Sequence, residues 1–280
     1  NRLRTGRHAD RGVRTAGHTA NPVTVLLSTI AAHLDALLEV ATIPDYPNAL
    51  NGVQCAHRGP VRAIASAVDA SERSIRLAID TGANLLIVHH GLFWGGLQPV
   101  TDYRHERLRL LLEHDVAVYS IHLPLDVHPR FGNSRLLAET LLLNPTAGFA
   151  YFEGVPCGVQ GKADLATADL LRSVDAFAST HGGGATASAR SPDRRTRHWA
   201  ICSGAGAGAA TLGEATTGGV DTLIVGEGPH WTAVDAPERG LVIIYAGHYA
   251  TETLGVRALG NHVADTFGIP HYAIAAPTGL

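Results

Sequence analysis

A chain of 280 residues, 45% hydrophobic and only 17% charged, can bury a large core, and its length allows one large or two modest domains. Its net charge of -3 argues against a general nucleic-acid binder, and no run reaches the ~18 uninterrupted apolar residues of a membrane span. The cysteines Cys55, Cys157 and Cys202 are widely spaced and lack a C-x-x-C pair, which predicts free thiols in a reducing compartment, the cytoplasm.

Residues 1–22 hold five Arg against one Asp and read as a disordered basic tail. Leu26, Leu27, Ile30, Leu34, Leu37 and Leu38 recur at helical spacing and predict a helix over 24–40. Pro44 and Pro47 mark residues 43–51 as loop. A strand over 61–68 leads to a helix that starts at Ser71 and stops at Thr81-Gly82. A strand ending at His89, a helix over 101–113, a strand over 116–121 and a helix over 134–143 follow. The second half repeats the alternation. Strands are predicted over 154–162, 198–203, 222–225, 241–245 and 272–275. Helices are predicted over 166–179 and 209–217, and in a last helix through 253–267. Residues 181–197, with the cluster Arg194-Arg195-Thr196-Arg197, read as a mobile, solvated loop. Alternating strands and helices imply an α/β fold with mainly parallel sheets.

Three apolar runs stop at residues able to bind metal. Leu85-Leu86-Ile87-Val88 runs into His89-His90-Gly91. The strand over 116–121 runs into His122-Leu123-Pro124-Leu125-Asp126. Leu241-Val242-Ile243-Ile244-Tyr245 runs into Gly247-His248 and then Glu252. Ligands of open α/β sheets sit beyond the carboxyl ends of strands, so the three groups can share one site. Neighbours on a strand face opposite sides, so His89 and His90 reach one cleft only where the strand ends, and Gly91 permits that bend. They then serve two metals more naturally than one. His248 and Glu252, four apart, share a face if a helix begins near His248. Three His and two carboxylates suit Zn, Fe, Mn or Co. A carboxylate bridging two ions ~3.5–4 Å apart would leave a water poised for attack.

Other signals are weaker. His122 and His128 flank Asp126 and read as ligands, supporting partners or substrate contacts. Glu227 and His230 follow another strand end and are candidates for proton transfer. Ser203-Gly204-Ala205-Gly206-Ala207-Gly208 reads as a tight turn with close backbone packing, and no Walker phosphate loop exists.

Six blocks in order carry a resemblance: Asn51-Gly52-Val53-Gln54; Gly82-Ala83-Asn84-Leu85-Leu86-Ile87-Val88-His89-His90; Tyr119-Ser120-Ile121-His122-Leu123-Pro124-Leu125-Asp126; Ile201-Cys202-Ser203-Gly204-Ala205-Gly206; Val225-Gly226-Glu227; and Gly247-His248-Tyr249-Ala250-Thr251-Glu252. Over roughly residues 24–275 the chain resembles the NIF-three-like family, the dinuclear metal centre hexameric proteins also called GTP cyclohydrolase I type 2. The resemblance implies that His90 and Asp126 hold one metal, His89 and His248 the other, and that Glu252 bridges them. It implies two α/β domains, residues 23–148 plus 246–280 and an inserted 149–245, with the metals in the cleft between. It also implies a homohexamer, a trimer of dimers with inward-facing sites. Two departures concern selectivity. Leu123-Pro124 stands where many members have Thr-Asn, and Pro229-His230-Trp231 where a His pair is frequent. The expected function is a dinuclear metal-dependent hydrolase acting on GTP or a related nucleotide, with His122, Glu227 and His230 as candidate catalytic groups. The alternative is a non-enzymatic metal-binding or partner-binding scaffold.

Overall fold

The computed structural model describes residues 25–280, so the basic tail over 1–22 lies outside the described residues. The first part of the chain forms α1 (Leu27–Leu37), β1 (Gly52–Cys55), β2 (Ile64–Asp69), α2 (Glu72–Asp80), β3 (Leu85–His90), α3 (Asp102–Glu113), β4 (Ala117–Ser120), α4 (Leu123–Asp126) and α5 (Asn133–Thr140). Then come β5 (Ala147–Phe152), β6 (Val155–Ala166), α6 (Thr167–Thr180), β7 (Thr186–Ala187), β8 (Arg195–Cys202), α7 (Ala209–Gly218), β9 (Thr222–Val225), α8 (His230–Glu238), β10 (Val242–Tyr245), α9 (His248–Phe267) and β11 (His271–Ala273).

The strands make two sheets, each packed with helices in an α/β fold. The first has the order β1-β4-β3-β2-β11 and is parallel except where β1 runs against β4. The second has the order β5-β6-β8-β9-β10-β7. Its β8, β9 and β10 are parallel, while β5, β6 and β7 pair antiparallel, so this sheet is mixed rather than mainly parallel. The difference comes from the β5–β6 hairpin, whose long strand β6 runs antiparallel to β8, and from the two-residue edge strand β7. Between β5 and β6, Glu153 and Gly154 both take positive φ, 45° and 90°, the backbone of a two-residue hairpin turn. The Arg194–Arg197 cluster is not a solvated loop. Residues 195–197 open β8, Thr196 is buried, and its hydroxyl bonds those of Thr167 and Thr222 at 3.0 and 2.9 Å.

Each sheet is covered on both faces. On one face of the first sheet Ile64, Leu85 and Tyr119 pack against α1 and α9, and on the other Ala65, Leu86 and Val118 meet α2 and α3. In the second sheet Trp199 and Ile201 point toward α5 and α6, whereas Ala200 and Leu223 point toward α7 and α8. The alternation along β8 is the period of two that sorts a strand's side chains between two layers.

One helix belongs to both cores. Helix α9 leaves β10 through Gly247, whose φ is 91°. Its first turn places Ala250 in the core of the second sheet, and Val256, Leu259 and Val263 then run along the first. The start of α9 therefore lies where the two sheets meet.

Candidate metal centre

Strand β3 outruns β4: their pairing ends at Val88 and Ser120, so His89 and His90 project past the β4 ladder. Their rings lie 4.8 Å apart, and His89 is wholly buried. Helix α4, immediately after β4, supplies Asp126, and the first two turns of α9 supply His248 and Glu252. The helix does begin at His248, so the two share a face.

Four imidazoles at this point are held in the same way. The Nδ1 of His89 donates to the Ile121 carbonyl at 3.0 Å, and that of His90 to Asp69 at 2.9 Å. The Nδ1 of His122 donates to Asp45, and that of His248 to Glu227, each at 2.8 Å. Such partners fix the tautomer and leave Nε2 as a lone-pair donor. Glu252 collects three of them: its Oε2 lies 3.3 Å from His90 Nε2 and 3.1 Å from His248 Nε2, and its Oε1 3.6 Å from His89 Nε2. Asp126 Oδ2 lies 3.4 Å from His89 Nε2, while its Oδ1 accepts from Asn133 at 2.9 Å.

These separations suit a shared cation better than hydrogen bonds. His89 Nε2, His248 Nε2 and Glu252 Oε2 are buried and make no aligned hydrogen bond among the described residues. Donors placed 2.0–2.1 Å around a tetrahedral ion stand about 3.3 Å from one another. His90, His248 and Glu252 form one group that could hold an ion, and His89, His90 and His122 another, with donor atoms within 4.8 Å of each other in each. The distances do not reproduce the ligand division implied by the resemblance. His89 lies with Asp126 and Oε1, whereas His90 and His248 both reach Oε2.

The electrostatics agree. Burial works against a charge on His89, but the Asp126 and Glu252 carboxylates overrule it and hold the imidazole well above its ordinary range. Burial likewise opposes protonation of His248, yet Glu252 and Glu227 push it up to about 9. Burial drives Glu252 upward, and His89 and His90 nonetheless hold it well below the usual carboxylate range. A pocket this hungry for positive charge is suited to a cation.

Gly204 explains the close backbone packing of its glycine-rich run. Its φ is +62°, and a Cβ there would fall 2.1 Å from Glu252 Oε1. The centre opens onto a cavity of about 700 Å³ with an aromatic wall of Tyr46, Trp94, Tyr151 and Phe152. Tyr46 and Phe152 touch with ring centroids 4.7 Å apart. Cys157 and Cys202 also line it, and burial pushes Cys157 up to about 12, so it stays a thiol.

The fold thus gathers His89, His90, His122, Asp126, His248 and Glu252, with Glu227 behind His248. His230 opens α8 on the exposed surface and does not line the cavity. His128 turns its Nδ1 to the backbone N–H groups of Arg130 and Phe131 and stacks on Phe131. Sequence reasoning missed Asp45, Asp69 and Asn133. Of these only Asp69 carried a signal, as the residue just past the predicted strand over 61–68.

A mixed α/β fold around a buried histidine–carboxylate centre defines the class of this protein. The chain belongs to the Duf34/NIF3 (NGG1p interacting factor 3) family, whose profile matches residues 25–278. It is 39% identical over 249 residues to a Deinococcus radiodurans protein named GTP cyclohydrolase 1 type 2 homolog, covering 86% of this chain and 91% of that one. A Halobacterium salinarum protein of the same name is 40% identical over 245 residues, covering 85% and 94%. Among solved structures the chain is similar to ybgI, a protein of unknown function, with a TM-score of 0.82 and 30% identity over 91% of this chain and 100% of that one. It is also similar to a protein from Thermus thermophilus, with a TM-score of 0.78 and 32% identity over 90% and 99%.

Proposed function

We propose that this chain is a dinuclear metal-dependent hydrolase acting on GTP or a related nucleotide. The observation that carries the reading is the common orientation of the four histidines, all tied back through Nδ1 with Nε2 free. In this reading His89, His90, Asp126, His248 and Glu252 hold two divalent ions (Zn, Fe, Mn or Co), with Glu252 shared because its two oxygens face different histidines. Bound ions supply Lewis acidity and bring the pKa of a water toward neutrality. His122, braced by Asp45, is the group placed to move a proton beside them, and Glu227 acts by orienting His248. The aromatic wall suits a planar base, which can stack there. The names of the two relatives point to GTP as the first compound to test.

We divide the chain into 23–148 plus 246–280 and an inserted 149–245. In support, every strand of the second sheet falls between Ala147 and Tyr245. The protein is proposed to work as a cytoplasmic homohexamer, a trimer of dimers. Among the described residues no helix is long and apolar enough to cross a membrane.

The test is elemental analysis of the wild type beside His89→Ala and Glu252→Gln, followed by chromatography of GTP incubated with each. About two metals per chain, lost in both folded variants together with turnover, is the expected result. A wild type that takes up no metal after reconstitution with Zn, Mn or Fe(II) sinks the reading. A second reading, a metal-binding or partner-binding scaffold, is favoured by the family description, which names an interaction with NGG1p. Metal uptake without turnover of any nucleotide would select it.

A further inference from the structure

A second cavity, of about 230 Å³, adjoins the metal centre and shares Asp69, His90 and Trp94 with the first. Its far side is basic. Arg104 and Arg107 of α3 line it with Tyr103, and their guanidinium carbons lie 4.6 and 5.0 Å from the centroid of that one ring. Contact with a common ring holds two like charges side by side despite their repulsion.

The third arginine of this helix is different. Arg109 pairs with Glu106 and Glu113, and Glu106 also takes Arg76. Glu106 and Glu113 are thereby committed, and among the described residues no carboxylate forms an ion pair with Arg104 or Arg107. Two N–H groups of the lining residues, Arg107 Nε and Trp94 Nε1, are buried without a hydrogen-bond partner among the described residues. A buried donor left unpaired costs the full desolvation of the group, so these two sites are held at an energetic cost, and the groups offered to a ligand are the Arg104 and Arg107 guanidiniums that line the cavity. Gly95 leaves room for the Arg104 head: a Cβ there would stand 3.2 Å from Nη2.

We infer that this cavity binds a phosphate group of the substrate whose reacting part lies at the metal centre. The inference rests on reading that centre as a substrate site. Phosphate offers only acceptor oxygens and a negative charge, and guanidinium forks match it in bidentate pairs. Asp69 borders the same cavity, but its carboxylate is engaged by His90 Nδ1 at 2.9 Å, so an anion settles on the arginine side. The substrate then spans the two cavities past Trp94, with its phosphate on α3 and its reacting atom near Glu252.

The test uses the full chain stripped of metal, so that ions contribute nothing, and follows inorganic phosphate by 31P NMR titration. Wild type should bind phosphate saturably. Arg104→Gln/Arg107→Gln should bind it at least about tenfold more weakly. Arg107→Lys should keep part of the affinity, and Arg239→Gln, remote on α8's end, all of it. Reloaded variants should take up as much metal as the wild type and melt at the same temperature. Wild-type affinity in the double variant, or no saturable binding in the wild type, would overturn the inference. Because binding is read without turnover, a protein that takes up no metal overturns only the reading of the centre.

Discussion

Three imidazoles of the centre are aimed by carboxylates and the fourth, His89, by a backbone carbonyl. Asp69 comes from β2, Asp45 from the loop before β1 and Glu227 from the turn after β9. On the proposed reading these carboxylates raise the basicity of the ring and fix its angle, a contribution of 10–100-fold in metal affinity in comparable sites. Asp69→Ala and Glu227→Ala should therefore each weaken metal binding about 10–100-fold while the stoichiometry at saturation stays the same. Competition with a chromophoric chelator measures this. Unchanged affinity would show that His90 or His248 needs no such support. The residues legible in the sequence were those ending apolar runs, His89, His90, Asp126, His248 and Glu252, because a strand end is itself a local pattern. Asp45 and Asn133 were illegible because only the tertiary fold brings a loop residue 77 positions away against His122, or ties Asn133 to Gly255 of α9.

Among the elements, α9 has two tasks that can be separated. Its first turns carry His248 and Glu252, and its later turns are buried against the first sheet, with Leu259 fully enclosed. Leu259→Ala removes apolar contact and leaves a cavity, a change that costs about 2–5 kcal/mol in packed cores. Urea denaturation should show a loss of that order, with metal content unchanged. Loss of metal in the folded variant would mean that the helix transmits packing changes to the site. The central strands and long helices were readable because full burial writes continuous apolar runs, as in Leu85-Leu86-Ile87-Val88. The exceptions were elements with little buried surface. Strands β1 and β7 are four and two residues long, β5 is an edge strand, and α8 contains Pro237 and exposes Trp231. Their mixed exposure leaves no clear period to read.

At the scale of the whole molecule the centre joins parts of the chain that are distant in sequence: the end of β3, helix α4 and the start of α9, which itself spans both cores. An ion bound there contacts only the folded state, so it stabilises the protein by mass action, about 2.7 kcal/mol at a free concentration a hundred times Kd. For a chain of this size that corresponds to a Tm shift of several degrees. The metal-free fold still has a compensating arrangement, since His89 and His90 hold the buried Glu252 carboxylate well below its usual range. A chelator should accordingly lower Tm by several degrees without unfolding the protein at room temperature, and readdition of metal should restore it. Glu252→Gln removes the carboxylate that both groups of histidines face, so its Tm should be lower at the outset and indifferent to chelator. A chelator effect of equal size in Glu252→Gln would place the stabilising ion elsewhere. A wild type with no response would mean that the histidine–carboxylate cluster, and not a metal, ties β3, α4 and α9 together.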